Sequence, residues 1–127
     1  MYRHILIPTD GSKLAGRGGA HGLALAKSVG AKVSVIYAVD SLLAVTGDFA
    51  SVLDCAANAA KEAGVSCETI QLENVPPHEA IIATAEEKGC DLIVMSSHGL
   101  SGLPMLLIGS VTNKVLTYAK TPVLVCR

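Results

Sequence analysis

Short apolar runs rich in β-forming residues alternate along this chain with longer segments of helical periodicity. Runs that are almost continuously apolar suit strands buried on both faces, which is the situation in parallel sheets. The strands are predicted at 4–8, 32–39, 66–72, 91–95 and 122–126. The helices are predicted at 12–29, 51–63, 77–88 and 110–118, with a loop at 41–50 and another at 96–108. This order predicts an α/β fold with a parallel sheet and helices on both of its faces.

Length and composition bound the class of protein. The chain has 127 residues, half of them hydrophobic, which predicts a single domain spanning residues 1–127. The net charge is −1 and aromatic residues make up 3%, so neither a basic nucleic-acid surface nor a base-stacking surface is expected. No apolar run is long enough to span a bilayer, and Pro8 follows the start too closely for a signal peptide. We therefore expect a cytoplasmic protein without membrane or nucleic-acid partners.

The cysteines and glycines add two expectations. The four cysteines are scattered without ligand spacing, so reduced thiols are expected rather than a zinc site. Each glycine inside a helix costs about 0.5–1 kcal/mol relative to alanine. We expect close approach of the first helix to the sheet to offset that cost. The glycines of this helix are Gly16, Gly18, Gly19 and Gly22.

Two segments follow strands at the edge of the sheet where open α/β folds bind ligands. Residues 8–12 follow the first strand, and residues 96–110 follow the fourth. The second segment is rich in glycine and serine and leads into a helix at Ser110, whose N–H groups and dipole attract anions. The hydroxyl donors are Ser97, Ser101, Ser110 and Thr112. A phosphate chain is one interpretation, and a loop that only connects and caps is the other; spacing alone leaves them equal.

Individual side chains also carry alternatives. Asp10 is predicted to contact a ligand or a metal, and its alternative role is to cap the first helix. His98 is expected to hold its loop by hydrogen bonds rather than to relay protons. His4 and His21 show no sign of a partner.

Three sequence pieces in order resemble the universal stress protein family along nearly the whole chain. They are the opening Ile5 to Ser12, the closing Thr121 to Val125, and the segment from Ser96-Ser97-His98-Gly99 through Gly109-Ser110 to Val115. The resemblance implies a five-stranded parallel sheet of order 3-2-1-4-5, similar to the adenine nucleotide α hydrolase fold. It also implies a stress-response protein that forms a homodimer through the last strand, Val123–Val125.

Members of the nucleotide-binding branch carry Gly-x-x-Gly, nine residues, then Gly-Ser or Gly-Thr. The resemblance therefore implies that the loop from Gly99 to Ser110 holds the phosphates of ATP or another adenine nucleotide. It places Asp10 near the ribose and any Mg²⁺, and the backbone of Ala38 near adenine. The implied binding residues are Pro8, Thr9, Asp10, Ala38, Ser96, Ser97, His98, Gly99, Gly102, Gly109, Ser110, Val111 and Thr112.

The chain departs from that pattern at two positions. Ser96 stands where nucleotide binders often have the first glycine, and Leu100 stands where many relatives have a cation. The residues show no nucleophile–base pair, so a dedicated catalyst is not predicted. Two alternatives stay open: a nucleotide-free dimeric interaction module, or a slow ATP hydrolase using Mg²⁺ on Asp10 and a water oriented by His98.

Overall fold

The computed structural model describes residues 1–11, 13–40, 49–97 and 108–127. Strands and helices alternate through these residues, as the sequence predicts. The strands are β1 (His4–Pro8), β2 (Lys32–Val39), β3 (Cys67–Glu73), β4 (Leu92–Ser96) and β5 (Val123–Cys126). The helices are α1 (Lys13–Val29), α2 (Phe49–Ala63), α3 (Pro77–Glu87) and α4 (Ser110–Tyr118). Within these ranges, no helix combines the length and apolar character needed to cross a membrane.

The strands form one parallel sheet of order β3-β2-β1-β4-β5, which confirms the predicted topology. β1 lies at the centre, where Ile5 pairs with Val33 of β2 on one side and with Leu92 of β4 on the other. The chain adds strands outward in one direction through β3 and then crosses to the other side with β4. The strand order therefore reverses between β1 and β4, which is where such sheets bind ligands.

Side chains of the central strands alternate between two buried layers. Ile5 and Ile7 pack in a cluster with Ala26 of α1 and Leu53 of α2. Leu6 belongs to a second cluster, beneath α3 and α4, that contains Ala80, Ala85 and Val115. Because both faces are covered, every position of these strands favours an apolar residue. This explains why the strand runs in the sequence are nearly continuous rather than alternating.

Two of the four α1 glycines sit against the sheet. A Cβ atom at Gly22 would lie 2.5 Å from the Ile7 side chain, and one at Gly18 would lie 2.9 Å from the backbone nitrogen of Ser96. A Cβ atom at Gly16 or Gly19 would meet nothing within 4 Å. Close approach therefore accounts for Gly18 and Gly22 but not for the other two.

Some element boundaries differ from the prediction. α2 begins at Phe49, so the predicted loop at 41–50 includes the start of a helix; residues 41–48 lie outside the described residues. β4 is shifted by one position and includes Ser96, which was expected to begin a loop. The Asp91 carboxylate accepts the N–H groups of Arg3 at 2.9 Å and His4 at 3.1 Å, which holds this residue ahead of β4.

The two edge strands of the sheet have unlike surfaces. β3 exposes Glu68, Gln71 and Glu73 along one edge. β5 forms the other edge, and the Leu124 side chain there is 43% exposed.

Candidate functional site

The carboxyl end of β4 is tied to the beginning of α4 by two hydrogen bonds and to β5 by a third. The Gly109 N–H donates to the Ser97 carbonyl at 2.6 Å, and the Ser97 N–H donates to the Cys126 carbonyl at 2.8 Å. The Thr112 hydroxyl donates to the Ser96 carbonyl at 2.8 Å. The structure thus brings together four predicted site residues, Ser96, Ser97, Gly109 and Thr112. The predicted residues His98, Gly99 and Gly102 lie outside the described residues.

The first turn of α4 presents backbone donors. Gly109 is the N-cap residue and has no side chain with which to cap the helix. The first bond of the helix runs from the Asn113 N–H to the Gly109 carbonyl at 2.9 Å. The N–H groups of Ser110, Val111 and Thr112 therefore have no acceptor within the helix. These N–H groups and the positive end of the helix dipole form an arrangement that attracts anions.

Two groups expected to face a phosphate are instead engaged within the fold. The Gly109 N–H is bonded to Ser97, and the Thr112 hydroxyl is bonded to Ser96. The backbone of Gly109 has φ −60° and ψ 159°, which any residue can adopt. Its glycine is therefore not required by the turn itself.

Ser96 occupies the position where glycine was expected from the family pattern. Among the described non-glycine residues, Asn74 alone has a positive φ, so Ser96 has backbone angles that suit an L-residue. Its side chain is buried, and its Oγ accepts the N–H of Gly18 at 3.1 Å. The hydroxyl of Ser96 is thus turned toward α1.

The turn after β1 holds Asp10. The Thr9 N–H donates to the Ile36 carbonyl at 2.9 Å, and the Thr9 hydroxyl accepts the N–H of Gly11 at 3.1 Å. Gly11 has φ +81°, a conformation that favours glycine. Asp10 is half-buried between these residues, while Ser12, next to the start of α1, lies outside the described residues. The turn holds the Asp10 carboxylate at the carboxyl end of β1.

The Asp10 carboxylate lies close enough to the buried phenol of Tyr37 to affect its pKa. Burial raises the pKa of Tyr37 above its ordinary value, and the nearby Asp10 carboxylate raises it further. Across the sheet, Ala38 at the end of β2 is half-buried and packs against the core beneath α3 and α4. The Asp10 side chain therefore lies close to Tyr37 of β2.

The donor set at this end bears on metal binding. Within the part of the chain that the structure describes, no three His, Cys, Asp or Glu side chains gather into a metal cluster. Asp10 is a single carboxylate. Mg²⁺ keeps several waters and takes one or two protein carboxylates together with phosphate oxygens. The residues present therefore fit Mg²⁺ that arrives with a nucleotide.

A cavity of about 610 Å³ lies between α1 and α2. Small and apolar side chains such as Ala20, Leu23 and Ala59 form most of its wall. Of the described residues predicted for the site, Thr9 alone lines it. Its apolar wall cannot replace the hydration of a triphosphate. Thr9 and Gly11, on either side of Asp10, are part of the lining, so the cavity adjoins the turn after β1.

The opposite end of the sheet holds a polar network that the sequence did not reveal. The Ser34 hydroxyl donates to Glu68 Oε1 at 2.7 Å, and His4 Nε2 lies 2.6 Å from Ser34 Oγ. Because Ser34 gives its hydrogen to Glu68, the hydrogen of this second bond belongs to His4 Nε2. Lys88 Nζ lies 3.3 Å from Glu68. The expectation that His4 has no partner is wrong.

This network does not resemble a catalytic triad. Ser34 is fully buried, and its hydrogen goes to a carboxylate rather than to the imidazole. Burial and the charge of Lys32 lower the pKa of His4 below 6.5. The hydrogen bond from Ser34 lowers the pKa of Glu68. His4, Ser34 and Glu68 lie on three strands, so only knowledge of the strand register could have brought them together.

Comparisons with known proteins bear on the family and the fold of this chain. The model of the universal stress protein family matches residues 1–127. Universal stress protein MJ0531 of Methanocaldococcus jannaschii is 38% identical, covering 100% of this chain and 83% of the relative. The solved structure of MJ0577 from the same organism has a TM-score of 0.86 at 29% identity, covering 98% of this chain and 95% of that one. A universal stress protein solved in complex with cAMP has a TM-score of 0.82 at 29% identity, covering 99% and 97%.

Proposed function

This chain belongs to the universal stress protein family, and we propose that it binds an adenine nucleotide at the carboxyl ends of its strands. The observation that carries the proposal is the first turn of α4, whose N-cap residue is a glycine and where the N–H groups of Ser110, Val111 and Thr112 have no acceptor within the helix. A bound phosphate would supply that acceptor and meet the positive end of the helix dipole.

Each predicted residue takes a role in this proposal. The loop from Gly99 to Ser110, with Ser97 and His98 before it, surrounds the phosphates, and Ser110 adds a hydroxyl at the start of α4. Asp10 lies at the ribose, and the backbone of Ala38 meets adenine. The complex of a 29% identical family member with cAMP supports an adenine nucleotide as the ligand class. ATP is the form that we propose.

Mg²⁺ bound with ATP would neutralise phosphate charge, and Asp10 is the side chain that would hold it. The other groups of the proposed site bind the nucleotide and orient it. Backbone N–H groups of α4 fix the phosphates without adding a net charge. The bonds from Gly109 and Thr112 to Ser97 and Ser96 keep that helix end beside β4. Binding at this junction would stabilise one arrangement of β4 and α4, which is how a nucleotide could be sensed.

A homodimer through β5 is the second part of the proposal. The Leu124 side chain is 43% exposed on an edge strand whose backbone continues the sheet. Exposed apolar edges of this kind pair with other strands. We propose that Val123–Val125 forms this contact and that the stress response is exerted by the dimer. Leu124→Glu should then yield monomers in light scattering, while Thr69→Glu on the opposite edge should not; a parent monomer would refute the dimer.

Isothermal titration of the dialysed protein with Mg·ATP tests nucleotide binding. We expect micromolar affinity for the parent and no measurable binding for Gly109→Val, because valine adds bulk beside the proposed phosphate position. Thr117→Val, two turns further along α4, is the matched control and should bind like the parent. Circular dichroism establishes that each variant is folded.

The same titration separates the alternatives. A folded parent that gives no heat and no saturation would refute the nucleotide proposal and leave the dimeric interaction module. Competition among ATP, AMP and cAMP identifies the preferred nucleotide. Release of inorganic phosphate that depends on Mg²⁺ and is lost in Asp10→Ala would add slow hydrolysis to binding. Constant phosphate would exclude that activity.

A further inference from the structure

We propose that Gly18 of α1 is a positioning residue for the phosphate end of the nucleotide site, an inference that rests on the function proposed above. Because Gly18 has no side chain, α1 lies directly on Ser96, the last residue of β4. The Gly18 N–H donates a hydrogen bond to the Ser96 hydroxyl. This contact fixes the strand end from which the glycine loop begins. It also makes serine acceptable at a position where nucleotide binders often have glycine.

The distances show how little room the contact leaves. A Cβ atom at Gly18 would lie 2.9 Å from the Ser96 nitrogen, 2.9 Å from Ser96 Oγ and 3.1 Å from the Met95 carbonyl carbon. Two of these three atoms belong to the backbone, which cannot move aside as the end of a flexible side chain can. Alanine at this position must therefore push α1 and the end of β4 apart.

A series of hydrogen bonds connects Gly18, through Ser96 and Ser97, to the beginning of α4. The Gly18 N–H donates to Ser96 Oγ at 3.1 Å. The carbonyl of Ser96 accepts the Thr112 hydroxyl, and the carbonyl of the next residue, Ser97, accepts the N–H of Gly109. A shift of Ser96 is thus transmitted to the two residues that hold the beginning of α4. The N–H groups proposed to bind phosphate would move with it.

The other glycines of α1 provide matched controls. Gly19 is the next residue in the same helix, and a Cβ atom there would meet nothing within 4 Å. Gly22 would meet the Ile7 side chain and Val94, which lie in the core rather than at Ser96. One methyl group added at each position therefore separates three effects: contact with Ser96, contact with the core, and helix propensity alone.

The experiment compares Gly18→Ala, Gly19→Ala and Gly22→Ala by Mg·ATP titration and by amide hydrogen exchange at Ser97 and Gly109. We expect Gly18→Ala to weaken ATP binding by about tenfold and to accelerate exchange at both amides. Gly19→Ala should leave both unchanged. Gly22→Ala should lower the melting temperature without selectively accelerating those two amides.

Several outcomes would overturn the proposal. One is parent-like exchange at Ser97 and Gly109 in folded Gly18→Ala. Another is an equal loss of ATP affinity in Gly22→Ala at a matched loss of melting temperature, because the effect of Gly18 would then be general stability. If Gly18→Ala does not fold, Ser96→Ala removes the acceptor without adding an atom. Exchange at Ser97 should still accelerate, and unchanged exchange would refute the role.

Exchange also separates this inference from the function on which it rests. A parent protein that binds no nucleotide refutes the proposed function. The comparison of Gly18→Ala with Gly19→Ala still determines whether Gly18 positions the junction of β4 and α4, because the Ser97 and Gly109 amides report on that junction without a ligand.

Discussion

The two ends of the central strands differ in how their polar groups are hydrogen-bonded. At the amino end, the side chains of His4, Ser34 and Glu68 satisfy one another within the sheet. At the carboxyl end, hydrogen bonds fasten β4 to α4 and leave the first N–H groups of that helix without intrahelical partners. The end with the more familiar catalytic residue types is therefore structural, and the ligand site that we propose lies at the backbone of the other end.

The difference shows which kind of polar group indicates function. A serine between a histidine and a carboxylate invites a catalytic interpretation, but its geometry sends the hydrogen of Ser34 away from His4. A glycine followed by a helix is common, and here the N-cap residue itself offers no side chain to the helix N–H groups. Satisfied side chains stabilise the fold, whereas N–H groups without an acceptor in their own helix are donors of the kind that a ligand can use.

The largest effect is expected from Ser34→Ala. This change leaves His4 Nε2 and Glu68 without their shared buried partner, and an unsatisfied buried polar group costs about 1–3 kcal/mol. Urea denaturation should show this loss in the free energy of unfolding. The affinity for Mg·ATP should stay at the parent value. A loss of affinity without a loss of stability would contradict the division between the two ends.

Thr112→Val tests a buried hydroxyl at the other end. The substitution keeps the shape and removes the bond to the Ser96 carbonyl, which should lower the free energy of unfolding by about 1 kcal/mol. Here ATP affinity should fall as well, because the bond holds α4 beside β4. Titration and denaturation on the same sample check both, and unchanged affinity would show that this bond does not position the site.

Acid should weaken the amino end. His4 has a pKa below 6.5, so acidification protonates the unfolded chain first and favours unfolding. Burial alone would raise the pKa of Asp91, but the N–H groups of Arg3 and His4 outweigh it and lower the pKa; the hydrogen bond from Ser34 lowers that of Glu68. Carboxylates of this kind stabilise the fold above their unfolded pKa and lose that contribution as pH falls. All three groups therefore act in the same direction.

The free energy of unfolding should decrease from pH 7 to pH 4, first through His4 and then through the carboxylates. Asp91→Asn should flatten the lower part of this dependence. Nuclear magnetic resonance titration of His4 provides a direct check. A measured pKa above 6.5, or stability that increases toward pH 4, would contradict the prediction.

The smallest effect is expected from Lys88→Ala. Its ion pair with Glu68 is exposed, with side chains 38% and 49% accessible, and such pairs contribute about 0–1 kcal/mol. The change in the free energy of unfolding should be at the low end of that range and should shrink further in 0.5 M salt, about five times the concentration at which the screening length is 10 Å. A loss as large as that of Ser34→Ala would show that the network extends to the surface.

The fold followed from the sequence because its central strands are buried on both faces. Runs such as Ile5-Leu6-Ile7 have no polar alternation to confuse with a surface strand, and each is followed by a helical pattern. The resemblance to a family supplied the strand order, which periodicity does not encode. Boundaries were less accurate, as at Ser96, because strand pairing rather than local pattern decides where β4 ends.

The sites were only partly predictable. Glycine and serine around Gly109 indicated where α4 begins. The hydrogen bonds of Gly109 and Thr112 to β4, however, depend on the packing of β4 and α4. The network around His4 joins residues 30 or more positions apart, so no local signal exists. Close approach to the sheet was expected for all four α1 glycines, but that Gly18 meets Ser96 is a property of the packed molecule.

The unlike edges of the sheet limit how many copies can assemble. β5 offers an apolar strand through Leu124, whereas β3 carries Glu68 and Glu73 on the far side. Two apolar edges would allow each copy to recruit another, and the sheet could grow into a filament. If β5 pairs two copies, as proposed above, no attractive edge is left after that pair forms, because β3 carries carboxylates. Neutralising these carboxylates is then the change most apt to turn a closed pair into an open-ended polymer.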